Sequence, residues 1–346
     1  MLVENLCEDL KTIKEFARER SPYDQAKNVR ITGNEDEVTF YCCDGEVAIW
    51  KKNKVDGNPI LGDFSINIFS LFKILKTLPQ DADVGIKANK NYHLSITTPL
   101  AKIPMRALPP EKVLEIPRNK NWKEETQETF IESLRLLSLL AVNEAFPITY
   151  DGEYIYYVSR TLAIYKRIIS DIMPFKLTPK VAKHIFSDVF TQMNINEKSV
   201  NCRNKNCEIM LFQTLTTSVN IRGVTKNIND DFKHIVYVKL KDLLEVYKTI
   251  ASLKEVEKED SNAIDLTFEK DQMVIDYIGA RIEIPCSNID GVSLKMRVPM
   301  DHLESVTSTR EGGENGNLKI ILSLGEYQAF VVDKGNGIIF VGGLIK

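Results

Sequence analysis

Apolar positions along this chain switch repeatedly between helical spacing and strict alternation. In LCEDLKTIKEFARER (6–20), Leu6, Leu10, Ile13 and Phe16–Ala17 recur at helical spacing. VRITGNEDEVTFYCCDGEVAIWK (29–51) then alternates as half-buried strands do, with turn residues between the runs. FSLFKILKTLP (69–79) returns to helical spacing and breaks at Leu78-Pro79, after which VGIKANKNYHLSITT and KIPMRALP alternate again. The same order of helix, strands, helix, strands recurs twice. In the middle it runs TFIESLRLLSLLAV, FPITYDGEYIYYVSRTLAIYKRI, KLTPKVAKHIFSDVFTQM and SVNCRNKNCEIMLFQTLTTSVNIR. There Thr178 as N-cap and Pro179 at the first helical position predict that the third of these segments is a helix. At the end it runs VKLKDLLEVYKTIASLK, AIDLTFEKDQMVIDYIGARIEIPCS, KMRVPMDHLESVTST, LKIILSLGEYQAFVV and GIIFVGGLIK, with Leu240, Leu243–Leu244, Tyr247 and Ile250–Ala251 on one helical stripe. The repeat is one of pattern, not of identical residues. It predicts an α+β chain of three repeated units, 1–117, 118–232 and 233–346, each with two helices packed on antiparallel strands.

A length of 346 residues fits this division, since domains run to about 100–200 residues. Hydrophobic residues make up 43% and charged ones 27%, which supports substantial cores in a soluble chain. Net charge is −3, so a nucleic-acid role has to rest on where charge sits, not on its sum. Lys11, Lys14 and Arg18 fall at i, i+3 and i+7, opposite the first apolar stripe. Lys73 and Lys76, Lys180 and Lys183, and Lys241 and Lys248 occupy the polar sides of later helices. Glu35, Asp36, Glu37, Asp44, Glu46, Asp265, Glu269 and Asp271 lie in the strand segments. The expectation is a basic helical surface backed by an acidic sheet surface, suited to loose phosphate contact without base reading.

The six cysteines are expected to be reduced thiols. Cys202 and Cys207 frame NCRNKNC, half of a metal site at most, with no second ligand pair after it, so no metal and no cofactor is expected. Walker, GxGxxG, HExxH and GxSxG patterns are missing, His93, His184, His234 and His302 are scattered, and the Gly-rich segments 312–316 and 333–337 read as hairpin turns. The chain is therefore not expected to be an enzyme. MLVENLCEDLKTIKEF is not a signal peptide, and no apolar run reaches the roughly 18 residues of a membrane span. A cytoplasmic protein without membrane partners is expected.

One stretch carries a specific likeness. ILKTLPQDADVGIKANKNYHLSITT followed by KIPMRALP, with Leu78-Pro79 and Leu108-Pro109, resembles the bacterial DNA polymerase III beta subunit family, the sliding clamps, and the final GIIFVGGLIK fits it too. Where family members carry an Asp-Gly-His-Arg-Leu-like motif, this chain reads YVSRTLAI, keeping Leu162-Ala163 but with Ser159, Arg160 and Thr161 before them. Gly342-Gly343 stands where Met and Pro are usual. These departures suit a divergent, phage- or plasmid-encoded member, which would work in the host cytoplasm. The resemblance implies a ring-shaped head-to-tail homodimer that encircles double-stranded DNA and tethers a polymerase as a processivity factor. It implies that Lys11, Lys14, Arg18, Lys73, Lys76, Lys180, Lys183, Lys241 and Lys248 face DNA. It places the dimer interface at Ile74, Ile103 and Met105 against Ile250 and Ala251. It places a groove for linear peptides of DNA polymerase and clamp loader at Tyr157, Thr161, Leu162, Phe340, Gly342, Leu344 and Ile345. The alternative is a clamp-fold adaptor that couples DNA to transcription or repair proteins.

Overall fold

The computed structural model describes residues 1–118, 122, 128–141, 143–159, 162–216, 221–222, 232–257, 263–289, 291, 293–307, 316–323, 329–333 and 338–343. The first third holds α1 (Val3–Lys14), β1 (Asn28–Gly33), β2 (Glu37–Cys43), β3 (Val47–Lys54), β4 (Ile60–Asn67), α2 (Ile68–Leu75), β5 (Gly85–Ala88), β6 (His93–Thr97) and β7 (Lys102–Arg106). The middle third follows with α3 (Glu128–Leu140), β8 (Ile148–Tyr150), β9 (Tyr154–Val158), β10 (Leu162–Arg167), β11 (Phe175–Leu177), α4 (Pro179–Ala182), β12 (Gln192–Ile195), β13 (Ser199–Arg203) and β14 (Cys207–Phe212). The last third has β15 (Phe232–Lys239), α5 (Leu240–Glu257), β16 (Ala263–Phe268), β17 (Gln272–Tyr277), β18 (Ala280–Asn288), β19 (Leu294–Pro299), α6 (Met300–Thr307), β20 (Asn317–Ser323), β21 (Ala329–Asp333) and β22 (Ile338–Gly343).

These elements form two compact units, Met1–Ile131 with Val181–Gln213, and Glu132–Lys180 with Thr214–Lys346. The first is built on a ten-stranded sheet of order β12-β13-β14-β3-β2-β1-β4-β5-β6-β7. The second carries a twelve-stranded sheet of order β11-β8-β9-β10-β22-β21-β20-β15-β18-β17-β16-β19. The middle third is shared out because its strands pair with both neighbours. Ile209 of β14 lies opposite Ile49 of β3, and Ile164 of β10 lies opposite Phe340 of β22.

The helices form where the apolar stripe has a sheet to cover. α1 buries Val3, Leu6, Cys7, Leu10 and Ile13. In α2, Asn67 caps the first turn by accepting from Ser70 N at 3.0 Å, and Ile68, Leu71, Phe72 and Leu75 are buried. Leu10 is fully buried, so truncating it to Ala costs about 2–5 kcal/mol. No helix of the described residues is long and apolar enough to cross a membrane.

Three expectations need correction. α1 stops at Lys14, where Phe16 N and Ala17 N close tighter bonds to Ile13 O and Lys14 O. Phe16 then turns into the core, 4.6 Å from the His184 ring, so Arg18 is off the helix. The segment expected to be a helix through Met193 is one only from Pro179 to Ala182, with a 3-10 turn at Lys183–Ser187. Asp188 is fully extended (φ −158°, ψ 171°), and Gln192–Ile195 joins β13 as a strand. Of the eight acids expected to line a sheet surface, only Glu37 and Asp265 lie within strands, in β2 and β16. Glu35 and Asp36, Asp44 and Glu46, and Glu269 and Asp271 sit at the hairpin turns β1–β2, β2–β3 and β16–β17. Every cysteine is a free thiol, and no group of potential metal ligands gathers among the described residues.

Candidate functional site

Lys11 and Lys73 are exposed on α1 and α2, which pack against each other. Lys14 and Lys76 reach over the Phe72 ring from these two helices, their ammonium groups 4.7 and 4.8 Å from its centroid. That cation–π contact fixes two charges beside the exposed pair. Four of the expected DNA-facing lysines thus gather on one helix pair. Arg18 does not join them, because it binds Asp44 at 3.4 Å and Glu46 at 2.8 Å and its charge is already matched. Lys180 and Lys183 are exposed, as are Lys241 and Lys248 on α5.

β7 is an edge strand of the ten-stranded sheet. Ile103 and Met105 lie half-buried on one face, opposite Ile96 and Leu94 of β6, while Lys102, Pro104 and Arg106 are exposed. Ala101 N and Ala107 N bond towards β6, at Thr98 O and Tyr92 O. Antiparallel alternation then turns the backbone of Lys102, Pro104 and Arg106 to the open side, where Pro104 offers no N–H. Ile74 on α2 is half-buried. In the second unit β19 is the corresponding edge, with Met296 and Val298 buried, Lys295 and Arg297 exposed, and Arg297 3.7 Å from Asp265. Ile250 has no surface to offer a partner: it is 0% exposed on the buried stripe of α5 with Leu243 and Val246. Ala251 beside it is half-buried.

The expected peptide groove falls on the ladder of β9, β10 and β22. Leu162 lies directly opposite Gly342, and Phe340 is placed by its backbone opposite Ile164. Leu162 is 4% exposed and Tyr157 is 0% exposed. Tyr157 is no groove wall, because its hydroxyl donates to Asn143 O at 3.2 Å and accepts from Asn143 N at 3.1 Å within the core. A Ser159 hydroxyl that accepts from Leu162 N at 3.1 Å holds the turn into β10. Tyr156, Val158, Ala163, Tyr165 and Ile221 form a separate apolar cluster. Thr161, Leu344 and Ile345 lie outside the described residues.

One feature of the first unit had no signal in the linear pattern. Strand register lines up Tyr41, Trp50, Glu208, Arg203 and Gln192 as successive cross-strand neighbours from β2 to β12. Tyr41 and Trp50 stack at 5.0 Å. The segment 108–118 crosses them, with the Tyr41 hydroxyl donating to Leu114 O at 2.5 Å and accepting from Ile116 N at 3.0 Å. Arg118 donates to Glu208 Oε2 at 2.6 Å. Burial pushes the Glu208 carboxyl up, and Arg118 opposes that.

No protein-family profile matches the chain, and no curated protein sequence does. Solved structures do. A DNA polymerase III beta subunit from Pseudomonas aeruginosa is similar at 14% identity and TM-score 0.78, over 100% of this chain and 99% of that one. A sliding clamp from Bartonella birtlesii bound to griselimycin aligns at 12% identity and TM-score 0.81, covering 100% and 98%. A DNA polymerase sliding clamp from Bacillus subtilis aligns at 15% and 0.77, again covering 100% and 98%. At such low identity these likenesses speak to architecture, and they agree from end to end: the chain has the α+β fold of the bacterial DNA polymerase III beta sliding clamps, in a divergent sequence.

Proposed function

We propose that the protein is a sliding clamp: a head-to-tail homodimer of three-domain chains (1–117, 118–232, 233–346) that encircles duplex DNA and tethers a replicative polymerase. The observation that carries this reading is the likeness in fold to solved clamps, which covers all of this chain and nearly all of theirs. Lys11, Lys14, Lys73 and Lys76, with Lys180, Lys183, Lys241 and Lys248, would supply screened contacts to phosphate that set no sequence preference. Such contacts can be weak, since escape from a closed ring requires an open interface and not merely lost affinity. β7 of one protomer would meet the last third of the other at β19, Ala251 and Leu253, replacing the buried Ile250. Partner peptides of polymerase and clamp loader would dock beside the Leu162–Gly342 pairing, with Leu344 and Ile345 beyond it. The role is mechanical, not catalytic, and needs no cofactor.

The test is retention on DNA. Loaded protein should persist on closed circular duplex and leave a short linear duplex by sliding off its ends. Equal retention on both would rule out encirclement.

A further inference from the structure

Beside the segment 108–118, the sheet face that carries Trp50 holds a pocket of about 460 Å³, a volume in the range of about 300–1,000 Å³ that small-molecule sites occupy. Its chemistry is concentrated. The chain has two tryptophans, and both are here: Trp50 lines the pocket, and Trp122 lies 4.3 Å under the guanidinium of Arg203, which lines it too. Five cations, Lys51, Lys52, Arg118, Arg203 and Lys205, line it with a single carboxylate, Glu208; Lys51 is paired with Asp9 at 3.3 Å. Lys52 is paired with Glu37 at 2.5 Å, whereas Arg203 and Lys205 make no ion pair among the described residues. Glu208 is the second, independent sign of a ligand. It is 2% exposed, it gives Oε2 to Arg118, and its Oε1 is buried with no hydrogen-bond partner. A buried acceptor without a donor is unfavourable unless something supplies one.

We propose that this pocket binds a nucleotide unit, with its phosphate held by Arg203 and Lys205, its base set against Trp50, and an exocyclic amino group donated to Oε1 of Glu208. Cations provide for the phosphate, an indole face for the base, and the orphaned oxygen for an amino hydrogen. Arg118 is 58% exposed and holds Oε2 of Glu208, so a ligand that moves the head of that side chain aside can approach the carboxylate from the pocket. The nucleotide can come free in solution or as an unpaired residue of a single strand; the recognition chemistry is the same. All the residues involved belong to one compact unit, so the site stands apart from the ring reading.

Because both tryptophans lie at the site, intrinsic fluorescence of the full chain reads it directly. AMP should quench the emission saturably. TMP, which lacks an exocyclic amine, should need about tenfold more, as expected for one lost hydrogen bond to a charged group. Inorganic pyrophosphate should bind more weakly than AMP. The pair Arg203→Ala and Lys205→Ala should weaken AMP at least tenfold or so with the melting temperature held, and Glu208→Met should erase the difference between AMP and TMP. Reversing Lys11 and Lys73 to Glu should leave the titration unchanged. An oligodeoxyadenylate that binds more tightly than AMP, and is lost in the same variants, assigns the site to single strands; equal affinity assigns it to free nucleotide. No quenching at millimolar AMP overturns the proposal. So does pyrophosphate binding as tightly as AMP, or quenching that depends on Lys11 and Lys73 instead of Arg203 and Lys205.

Discussion

Replacing Ile103 and Met105 together by Asp should convert a dimer into a folded monomer. Both side chains are half-buried in the free chain. Full burial of such a side chain contributes about 1.5–3 kcal/mol, so the half left for a partner contributes about 1 kcal/mol each. A carboxylate pressed into an apolar contact without a partner adds at least about 1 kcal/mol more per residue. The sum is about 4 kcal/mol at one interface, roughly a thousandfold, and a closed head-to-tail ring contains that interface twice, so association weakens by well over a thousandfold. The fold should survive, because Leu94 and Ile96, their neighbours on β6, carry the buried side of this face. Sedimentation velocity at micromolar protein, with circular dichroism melts alongside, measures both quantities. A double variant that stays dimeric at micromolar concentration removes β7 from the interface, and a wild-type chain that is monomeric at tens of micromolar removes the ring.

Three further outcomes follow from particular side chains. Burial holds the His302 imidazole down to about 4 from 6.5, so the unfolded chain binds its proton more tightly. Its contribution, up to roughly 3 kcal/mol, should be complete above about pH 6.5 and lost as pH falls towards 4; urea midpoints at pH 7.5 and 5 should differ less in His302→Leu than in the wild type. Reversing Lys11, Lys73, Lys180 and Lys183 to Glu should shorten retention on circular DNA while leaving the dimer intact, and unchanged retention would take the helices out of DNA contact. If β7 and β19 pair, Lys102 and Arg106 come beside Lys295 and Arg297, and like charges across a strand pair oppose each other by about 0.2–1 kcal/mol. Association should then tighten as salt rises from low values, the reverse of DNA affinity, and sedimentation at two ionic strengths separates the signs.

Most of the helices and strands could be read from periodicity, because each helix covers its own sheet with a stripe that recurs at helical spacing. The errors have physical causes. Phe16–Ala17 continue the spacing of α1, yet Phe16 serves the core after the helix has stopped, and Arg18 leaves with it. Val181 and Ile185 fit a helix, but Met193 is the buried residue of β12, a strand paired with β13, and Phe190 is buried before that strand begins. Ile250 reaches a partner only through the family resemblance, which carries a position along the helix without its burial; its own helical stripe already places it with Leu243 and Val246 in the core. The pocket at Trp50 was out of reach altogether. Trp50 meets Glu208 only through the register of β3 against β14, and no local pattern encodes a register between distant strands.

That same register bears on why the ends of the chain should meet. The middle third closes neither of its sheets alone: β14 continues the sheet of the first third and β10 continues that of the last. Each sheet therefore ends in one strand of the middle third and one strand of a terminal third. The middle-third edges, β12 and β11, are four and three residues long, too short to template much pairing. The terminal edges, β7 and β19, run to five and six residues, and each contains one proline. Proline at an edge limits pairing with stray strands while leaving the carbonyls and the remaining N–H groups available. On β7 the face behind that edge is apolar and half-buried, which a solvated edge does not require. An edge guarded against indiscriminate pairing, with apolar side chains still to cover, suits one defined partner, and β19 of a second copy supplies an edge of matching length.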